Sequence, residues 1–323
     1  MKNFQNDGLN DEIMDAIQRA FSEKRNLLCV IAGATAVGKT EIAIQLARRY
    51  GLSIISSDSR QFYKEMSIGT AKPTMEERSQ APHYFIDCLS VQDYYSVSRF
   101  EQDVLALLPR LFAEKPVVIM TGGSGLYIDA VCKGIDDLPD PDIEIREEVM
   151  QLYRTGGIEA LRRNLRMLDP EFIARTDIAN HKRLVRALEV SLQTGKPYSE
   201  FLKSIRKERP FDIVKFCVTR PREELFQRIN MRVDKMMQQG LLEEAKGLLP
   251  YKEYNALNTV GYKQLFDYFE GKCTLEKAVE QIKTDTRRYA KRQLTWFKRD
   301  GGYVPIKILS NSHHESPPYR PPV

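Results

Sequence analysis

Residues 33–40 are the stretch whose side chains and spacing most directly indicate chemistry. They follow the Gly-x-x-x-x-Gly-Lys-Thr pattern of a phosphate-binding loop. The glycines let the chain curl so that successive backbone N–H groups point at phosphate oxygens. Lys39 adds a positive charge for the terminal phosphate, and Thr40 can ligate Mg²⁺. The predicted phosphate- and substrate-binding residues are Gly33, Ala34, Thr35, Ala36, Val37, Gly38, Lys39 and Thr40.

The elements on either side of this loop are those that its chemistry requires. The apolar run at 27–32 is too short for a helix and predicts a buried strand, and a helical pattern follows from Glu41. The positive end of that helix's dipole would then lie beside the bound phosphate. The pattern does not say which phosphate compound is bound.

A second buried strand is predicted at 53–56, and Asp58 follows its carboxyl end. Ligands of open parallel sheets bind at the carboxyl ends of the strands, which places Asp58 on the edge that carries the phosphate loop. Asp58 is therefore a candidate for contact with the bound phosphate compound. An Asp that only caps the next helix would have the same position, and both interpretations stay open here.

The strand predicted at 116–120 ends in glycines and hydroxyl side chains, at 121–127. Nucleotide hydrolases of the common kind have an acidic residue at such a strand end. The sequence has none there, which argues against nucleotide hydrolysis.

Composition limits the class of protein. The chain has 323 residues, 42% of them hydrophobic, and a net charge of +5, so a nucleic-acid partner is permitted but not required. Its five cysteines are far apart and its four histidines are few, which disfavours a zinc site. No signal peptide or membrane-spanning run is found. We expect a cytoplasmic monomer without a membrane partner.

The pattern of elements predicts an α/β protein with an insertion. We expect a leader helix in 1–26, a first part of the sheet in 27–136, an inserted all-helical subdomain in 137–207 and a second part in 208–309. The link that opens the insertion is rich in Asp and Pro, and the insertion itself has only helical periodicity. Residues 310–323 contain two Pro-Pro pairs and are predicted to be a disordered tail.

The last predicted helix, about 274–299, is strongly basic. Between 283 and 299 it has seven Lys or Arg and one acidic residue, with Tyr289, Trp296 and Phe297 among them. A solvated helix face explains such a run, and so does an RNA-binding surface, where cations hold the backbone and aromatic rings stack on bases.

Seven motifs in order resemble those of bacterial tRNA dimethylallyltransferases, over about residues 28 to 300. They are the phosphate loop 33–40, Ser-Asp-Ser-Arg-Gln at 57–61, Ile-Gly-Thr-Ala-Lys-Pro at 68–73, Gly-Gly-Ser-Gly-Leu-Tyr at 122–127, Arg-Leu-Val-Arg-Ala-Leu-Glu at 183–189, Val-Gly-Tyr-Lys at 260–263 and Lys-Arg-Gln-Leu-Thr-Trp at 291–296. The resemblance implies a P-loop NTPase- or kinase-like parallel sheet with a helical C-terminal region.

The resemblance also implies an activity. In that family, dimethylallyl diphosphate donates its five-carbon group to N6 of the adenine 3′-adjacent to the anticodon, position 37 of the tRNA. The implied partners are therefore dimethylallyl diphosphate and a tRNA anticodon stem-loop, with Mg²⁺ held at Thr40.

The resemblance implies site residues as well. The catalytic set would be Asp58, Ser124 and Arg232, although the family usually has Thr where this chain has Ser124. The implied tRNA contacts are Asp58, Ser59, Arg60, Gln61, Ser124, Arg146, Lys182, Arg183, Leu184, Val185, Arg186, Asn258, Thr259, Val260, Gly261, Tyr262 and Lys263.

The chemistry suits these residues. A prenyl diphosphate ionises most readily when its leaving diphosphate is neutralised, which Lys39, the loop amides, Mg²⁺ on Thr40 and a bidentate Arg232 can do. The exocyclic amine of adenine is a weak nucleophile, so a carboxylate that accepts its proton would help, and Asp58 is the candidate.

Other functions remain open. A small-molecule P-loop kinase would explain the loop but not the basic C-terminal helix. A non-catalytic RNA-binding protein with a relic loop would not need Asp58, Ser124 and Arg232. A related transferase that prenylates free adenine nucleotides would not need the inserted subdomain or the basic run.

Overall fold

The computed structural model describes residues 11–203 and 207–308. The first ten residues of the predicted leader segment and the predicted tail at 310–323 lie outside this part of the chain.

The sheet has six strands, and every pairing between them is parallel. The strands are β1 (Leu27–Gly33), β2 (Ile54–Ser56), β3 (His83–Tyr84), β4 (Val117–Gly122), β5 (Asp212–Thr219) and β6 (Tyr303–Lys307). Their order is β3-β2-β4-β1-β5-β6. Every residue of β1 is buried, as expected for a central parallel strand covered on both faces. The predicted α/β parallel-sheet fold is confirmed.

The helices connect and cover these strands. They are α1 (Asp11–Glu23), α2 (Lys39–Tyr50), α3 (Met75–Ser79), α4 (Val97–Glu114), α5 (Gly125–Lys133), α6 (Ile143–Leu168), α7 (Pro170–Arg175), α8 (His181–Thr194), α9 (Arg222–Gln238), α10 (Leu241–Leu248), α11 (Tyr262–Phe269) and α12 (Leu275–Arg299). Single 3-10 turns form at Tyr198–Phe201, Leu249–Tyr251 and Asn255–Leu257. In the described part of the chain, no helix is both long and apolar enough to cross a membrane.

The chain divides into two compact units. The sheet unit comprises the described parts of Met1–Tyr95, Asp103–Cys132 and Arg209–Val323, and the helical unit those of Ser96–Gln102 and Lys133–Glu208. In the sheet unit, Ile13 and Ile17 of α1 belong to the same buried cluster as Leu27 and Ile31 of β1. This burial follows from the amphipathic pattern of α1.

The helical unit has its own core. Val149, Leu161 and Leu165 of α6 form a buried cluster with Leu184 and Leu188 of α8. The helical spacing of these residues puts each set on one face of its helix, which is why the segment packs as a bundle.

Candidate active site at the phosphate loop

The phosphate loop joins β1 to α2 in a curled conformation. Ala36 and Gly38 both have left-handed backbones, with φ of 63° and 107°. Gly38 is the N-cap residue of α2 and forms no side-chain cap, so the amides of the first helical turn have no acceptor within the helix. Such amides are available to bind an anion.

Cationic side chains donate hydrogen bonds to the carbonyl groups of the loop. Arg228 Nε donates to the carbonyl of Ala36 at 2.9 Å, and Arg220 Nε donates to that of Val37 at 2.8 Å. Lys39 Nζ donates to the carbonyl of Ala34 at 3.3 Å. Because the carbonyls are bound in this way, the loop keeps the peptide orientation in which its amides can face a ligand.

A buried glutamine joins the loop to the neighbouring strand end. Gln293 of α12 is 5% exposed. Its Oε1 accepts the amide of Thr35 at 2.9 Å, and its Nε2 donates to the carbonyl of Gly123 at 2.9 Å. The sequence contains Gln293 within a recognised motif, but its role depends on a contact 258 residues away along the chain. Sequence reasoning therefore missed it.

Lys39 is the most buried cation at the site, with 8% of its surface exposed. Burial lowers its pKa to about 8; the Asp58 charge opposes this shift, and the nearby charge of Arg232 adds to it. Among the described residues, Lys39 forms no ion pair within 4 Å. The pKa of the partly buried Arg232 is also lowered, mainly by burial. Two desolvated cations side by side favour an anion between them.

Asp58 follows β2 and points into the same region. Its Oδ1 accepts the amide of Arg60 at 3.3 Å, and its own amide donates to the hydroxyl of Ser56 at 3.3 Å. Residues 59–62 form turns and no helix, so Asp58 caps a turn and the helix-cap alternative is wrong. In the described structure, Oδ2 has no hydrogen-bond donor, which leaves one carboxylate oxygen available for chemistry.

Ser124 lies between the two strand ends. Its hydroxyl accepts the amide of Ser59 at 3.1 Å and donates to the Ser59 hydroxyl at 3.2 Å. It therefore holds the turn that carries Asp58. The resemblance predicts Thr at this position. Since both hydrogen bonds use only the hydroxyl, Ser124 can form them as Thr would.

A cavity of about 420 Å³ in the sheet unit brings many of the predicted residues together. Arg232 of α9 and Tyr289 and Arg292 of α12 also line it. The predicted residues on its wall are Thr35, Asp58, Ser59, Arg60, Arg232, Asn258, Thr259, Val260, Gly261 and Lys263. A second cavity of about 530 Å³ lies beside Gly38, Lys39, Thr40, Arg228 and Arg232. Arg232 borders both cavities and so connects the predicted phosphate site with the larger group of polar residues.

Gln61 and Tyr262, two of the predicted tRNA contacts in this unit, do not line the main cavity. Gln61 is 9% exposed and bonds to Ser56 and to the carbonyl of Thr70. Tyr262 is 0% exposed. Their side chains shape the surrounding backbone and are not available to an RNA.

In the helical unit, the predicted tRNA contacts differ in exposure. Leu184 and Val185 belong to the buried core, so their side chains cannot contact RNA. Arg146 and Arg186 form ion pairs with Glu189, which is 2% exposed, at 3.7 Å and 3.4 Å. Lys182 and Arg183 are exposed on the first turn of α8. Of the residues predicted to contact RNA on α8, only Lys182 and Arg183 therefore remain as candidates.

The basic run of α12 is also partly satisfied within the protein. Lys283 pairs with Asp234 at 2.9 Å, Arg288 pairs with Asp285 at 3.0 Å, and Arg287 donates to Asn230 at 2.6 Å. Lys291, Arg292, Lys298 and Arg299 remain exposed. The charge available to a partner is thus concentrated in the C-terminal half of the helix.

Metal ligands of the usual kind are scarce. The described residues contain no group of three or more His, Cys, Asp or Glu placed to hold a metal ion. Thr40 lines the cavity beside Lys39, and Mg²⁺ needs few protein ligands when phosphate oxygens and waters complete its octahedron. The site therefore suits a Mg²⁺ ion that arrives with a diphosphate.

These features define a class of protein: a P-loop α/β fold with a desolvated, cationic anion site beside a carboxylate. Comparison with known families assigns the chain more closely. Residues 61–300 match the sequence model of the IPP transferase family, which is most of the chain. The protein belongs to the IPP transferase family.

Curated relatives agree with this assignment. The tRNA dimethylallyltransferase 2 of Parabacteroides distasonis is 52% identical over 275 residues, covering 85% of this chain and 92% of the relative. The tRNA dimethylallyltransferase 1 of Bacteroides thetaiotaomicron is 49% identical over 273 residues, covering 84% and 89%.

Solved structures share the fold. The tRNA isopentenylpyrophosphate transferase of Bacillus halodurans superposes with a TM-score of 0.63 at 36% identity, covering 88% of this chain and 90% of that one. A eukaryotic dimethylallyltransferase acting on tRNA superposes with a TM-score of 0.71 at 27% identity, covering 87% and 74%.

Proposed function

We propose that this protein is a tRNA dimethylallyltransferase. It transfers the dimethylallyl group of dimethylallyl diphosphate to N6 of the adenosine 3′-adjacent to the anticodon of tRNA and releases diphosphate. The observation that carries this proposal is the buried Lys39, which has no ion-pair partner among the described residues and lies near Arg232 and Asp58 in a chain of this family. Arg232 lines both the cavity beside Lys39 and the main cavity.

The first requirement of the reaction is stabilisation of the leaving diphosphate. Lys39 and the amides at the start of α2 bind the anion, and Arg232 adds a second positive charge to this site. These groups are already desolvated and oriented. They can therefore stabilise the negative charge that develops on the leaving oxygen as the C–O bond breaks. No carboxylate competes with the substrate for Lys39 at ion-pair distance within the described residues.

A Mg²⁺ ion fits this arrangement with Thr40 as its protein ligand. When bound with the diphosphate, it supplies further neutralisation of the leaving group. Thr40 and Lys39 both line the cavity of about 530 Å³, so the Thr40 hydroxyl can reach the same phosphate oxygens.

The second requirement is removal of a proton from the acceptor. The N6 nitrogen forms its bond to C1 of the dimethylallyl group while the C1–O bond breaks and its electron pair leaves with the diphosphate. The N6 proton passes to the free Oδ2 of Asp58. Ser124 holds the turn that positions this carboxylate, through its two hydrogen bonds with Ser59.

The acceptor nucleotide would occupy the main cavity, since a base turned out of an anticodon loop needs a polar pocket next to the reacting carbon. We assign contacts with the RNA to Ser59, Arg60, Lys263 and the backbone of 258–261. Lys182 and Arg183 of the helical unit would hold the phosphate backbone.

The proposal extends to the state of the protein in the cell. The groups assigned to catalysis all come from one chain, so we infer that a monomer is active. A bacterial tRNA-modifying enzyme would work in the cytoplasm.

The decisive experiment incubates the protein with Mg²⁺, radiolabelled dimethylallyl diphosphate and one acceptor, either total tRNA or AMP. We expect label only in tRNA, at the adenosine 3′-adjacent to the anticodon. Label in AMP instead would identify an enzyme that prenylates free nucleotides. ATP-dependent phosphorylation with no prenyl transfer would identify a kinase.

A further inference from the structure

A single carboxylate on α10 binds four donors from two other segments. Glu244 Oε2 accepts the amides of Ser67 and Ile68 at 3.0 Å and 2.8 Å. Its Oε1 accepts the amide of Gly69 at 3.0 Å and the hydroxyl of Tyr262 at 2.6 Å. Three consecutive amides that converge on one anion form a backbone nest, and here a side chain of the protein fills it.

The two segments held by Glu244 are also in close contact with each other. A Cβ atom on Gly69 would lie 2.6 Å from the ring of Tyr262, so only glycine allows this approach. Tyr262 is fully buried, and its pKa is raised by burial and by the adjacent Glu244 carboxylate. The phenol therefore stays protonated and remains a donor to Glu244.

Residues of both segments line the main cavity, and no described residue of either segment lines the cavity of about 530 Å³. Gly69, Thr70, Val260, Gly261 and Lys263 line the cavity of about 420 Å³. None of them lines the cavity of about 530 Å³ beside Lys39 and Thr40. Any change in their position should alter the space for the acceptor and leave the diphosphate site unchanged.

We propose that Glu244 is a positioning residue that shapes the acceptor side of the active site by fixing Ser67–Gly69 and Tyr262 together. The proposal rests on the assignment of the main cavity to the acceptor nucleotide. A carboxylate is required because every partner of its two oxygens is a hydrogen-bond donor. The amide of Gln would put a donor against N–H groups at one of the two positions.

The test compares Glu244→Gln with Glu243→Gln, an exposed neighbour on the same helix. In Glu244→Gln we expect KM for tRNA to rise roughly tenfold. This is the loss of affinity expected when charge-assisted hydrogen bonds that shape the binding site are broken. KM for dimethylallyl diphosphate should change by less than about twofold, since Glu244 contacts no wall of that site. Glu243→Gln should match the wild type in both.

Hydrogen exchange gives a second measurement that does not depend on activity. Amides 67–69 should lose protection in Glu244→Gln and keep it in Glu243→Gln. Tyr262→Phe removes one of the four hydrogen bonds and should give an intermediate KM for tRNA.

Two results would overturn the inference: unchanged protection of amides 67–69 in Glu244→Gln, or an equal rise in KM for both substrates. If the wild-type protein transfers no prenyl group to tRNA, the proposed function fails instead, and the exchange result still tests the role of Glu244 in the fold.

Discussion

The cations of the phosphate loop and those of α8 are placed in opposite environments. Lys39 is 8% exposed and has no carboxylate at ion-pair distance among the described residues. Lys182 and Arg183 are exposed to solvent, and the Arg183 guanidinium lies 5.7 Å from the centre of the Phe172 ring. The first arrangement costs free energy until an anion binds, whereas the second costs almost nothing.

This difference separates two kinds of binding. A desolvated cation interacts strongly with a ligand at one position and can stabilise charge that develops during a reaction. Exposed cations act over a longer range, are screened by salt and bind a polyanion through many small contributions. Variants of the two groups should therefore fail in different ways.

The largest effect is expected for Lys39→Met, which removes the buried charge and keeps most of the volume. Transfer should fall by about 10³-fold or more, since a preorganised group for the leaving anion is lost. Affinity for tRNA should stay within about twofold. Lys182→Met is the matched control for the loss of an exposed lysine. A comparable loss of tRNA affinity in Lys39→Met, by filter binding, would show that the two groups of cations share one ligand.

Asp58→Asn tests the carboxylate next to the buried cation. Asn keeps the acceptor for the Arg60 amide and removes the charge on Oδ2. We expect kcat to fall by about 10²-fold or more with a modest change in KM. Turnover near the wild-type value in steady-state assays would exclude Asp58 as the base.

The pKa of Lys39 gives a prediction about protons. A pKa of about 8 in the free enzyme leaves a large share of Lys39 neutral at pH 8.5, and a bound diphosphate should raise that pKa. Diphosphate binding should therefore take up more protons in the wild type than in Lys39→Met. The affinity should weaken by up to about tenfold per pH unit above 8.

Titration calorimetry at pH 8.5, in two buffers of different ionisation enthalpy, measures this proton uptake. Inorganic diphosphate is the ligand, and Lys182→Met should behave like the wild type. Equal proton uptake in wild type and Lys39→Met would mean that Lys39 is fully charged before the ligand binds.

The smallest effect is expected for the double variant Lys182→Ala with Arg183→Ala. Arg186 is left in place because, among the described residues, its loss would leave the buried Glu189 with Arg146 as its one ion-pair partner, at 3.7 Å. If both removed cations hold RNA phosphates, tRNA should bind a few-fold more weakly, and the slope of log K against log[salt] should fall by roughly 0.7–0.9 per contact. Lys196→Ala, an exposed lysine of the same unit, is the control. An unchanged slope in the folded double variant would remove α8 from the RNA surface.

Local sequence patterns predict the fold and the residues that the structure brings together at the phosphate loop. The run at 27–33, the glycines and Lys39 predict a strand, a loop and a helix, because each depends on neighbours within a few residues. The position of Asp58 at the end of β2 follows from the geometry of any parallel sheet. The resemblance supplied Arg232 and Ser124.

The supporting contacts could not be predicted in this way. Arg228 and Gln293 act on the loop from distant helices, and Glu244 bonds to amides 175 to 177 residues away. No local pattern marks an arginine that binds a carbonyl or a glutamate that fills a nest. The motif at 182–186 predicts one RNA-binding surface, whereas the helical period buries Leu184 and Val185 within it.

The hydrogen bonds of Gln293 have a consequence for biosynthesis. Thr35 emerges from the ribosome 258 residues before its partner, so the phosphate loop cannot be completed until α12 has been made and has docked. The nascent protein should remain unable to hold diphosphate until α12 has been translated, and this high contact order makes docking of α12 the step that completes the site. A ribosome-bound series of increasing length should acquire diphosphate protection against proteolysis only after Gln293 has left the exit tunnel.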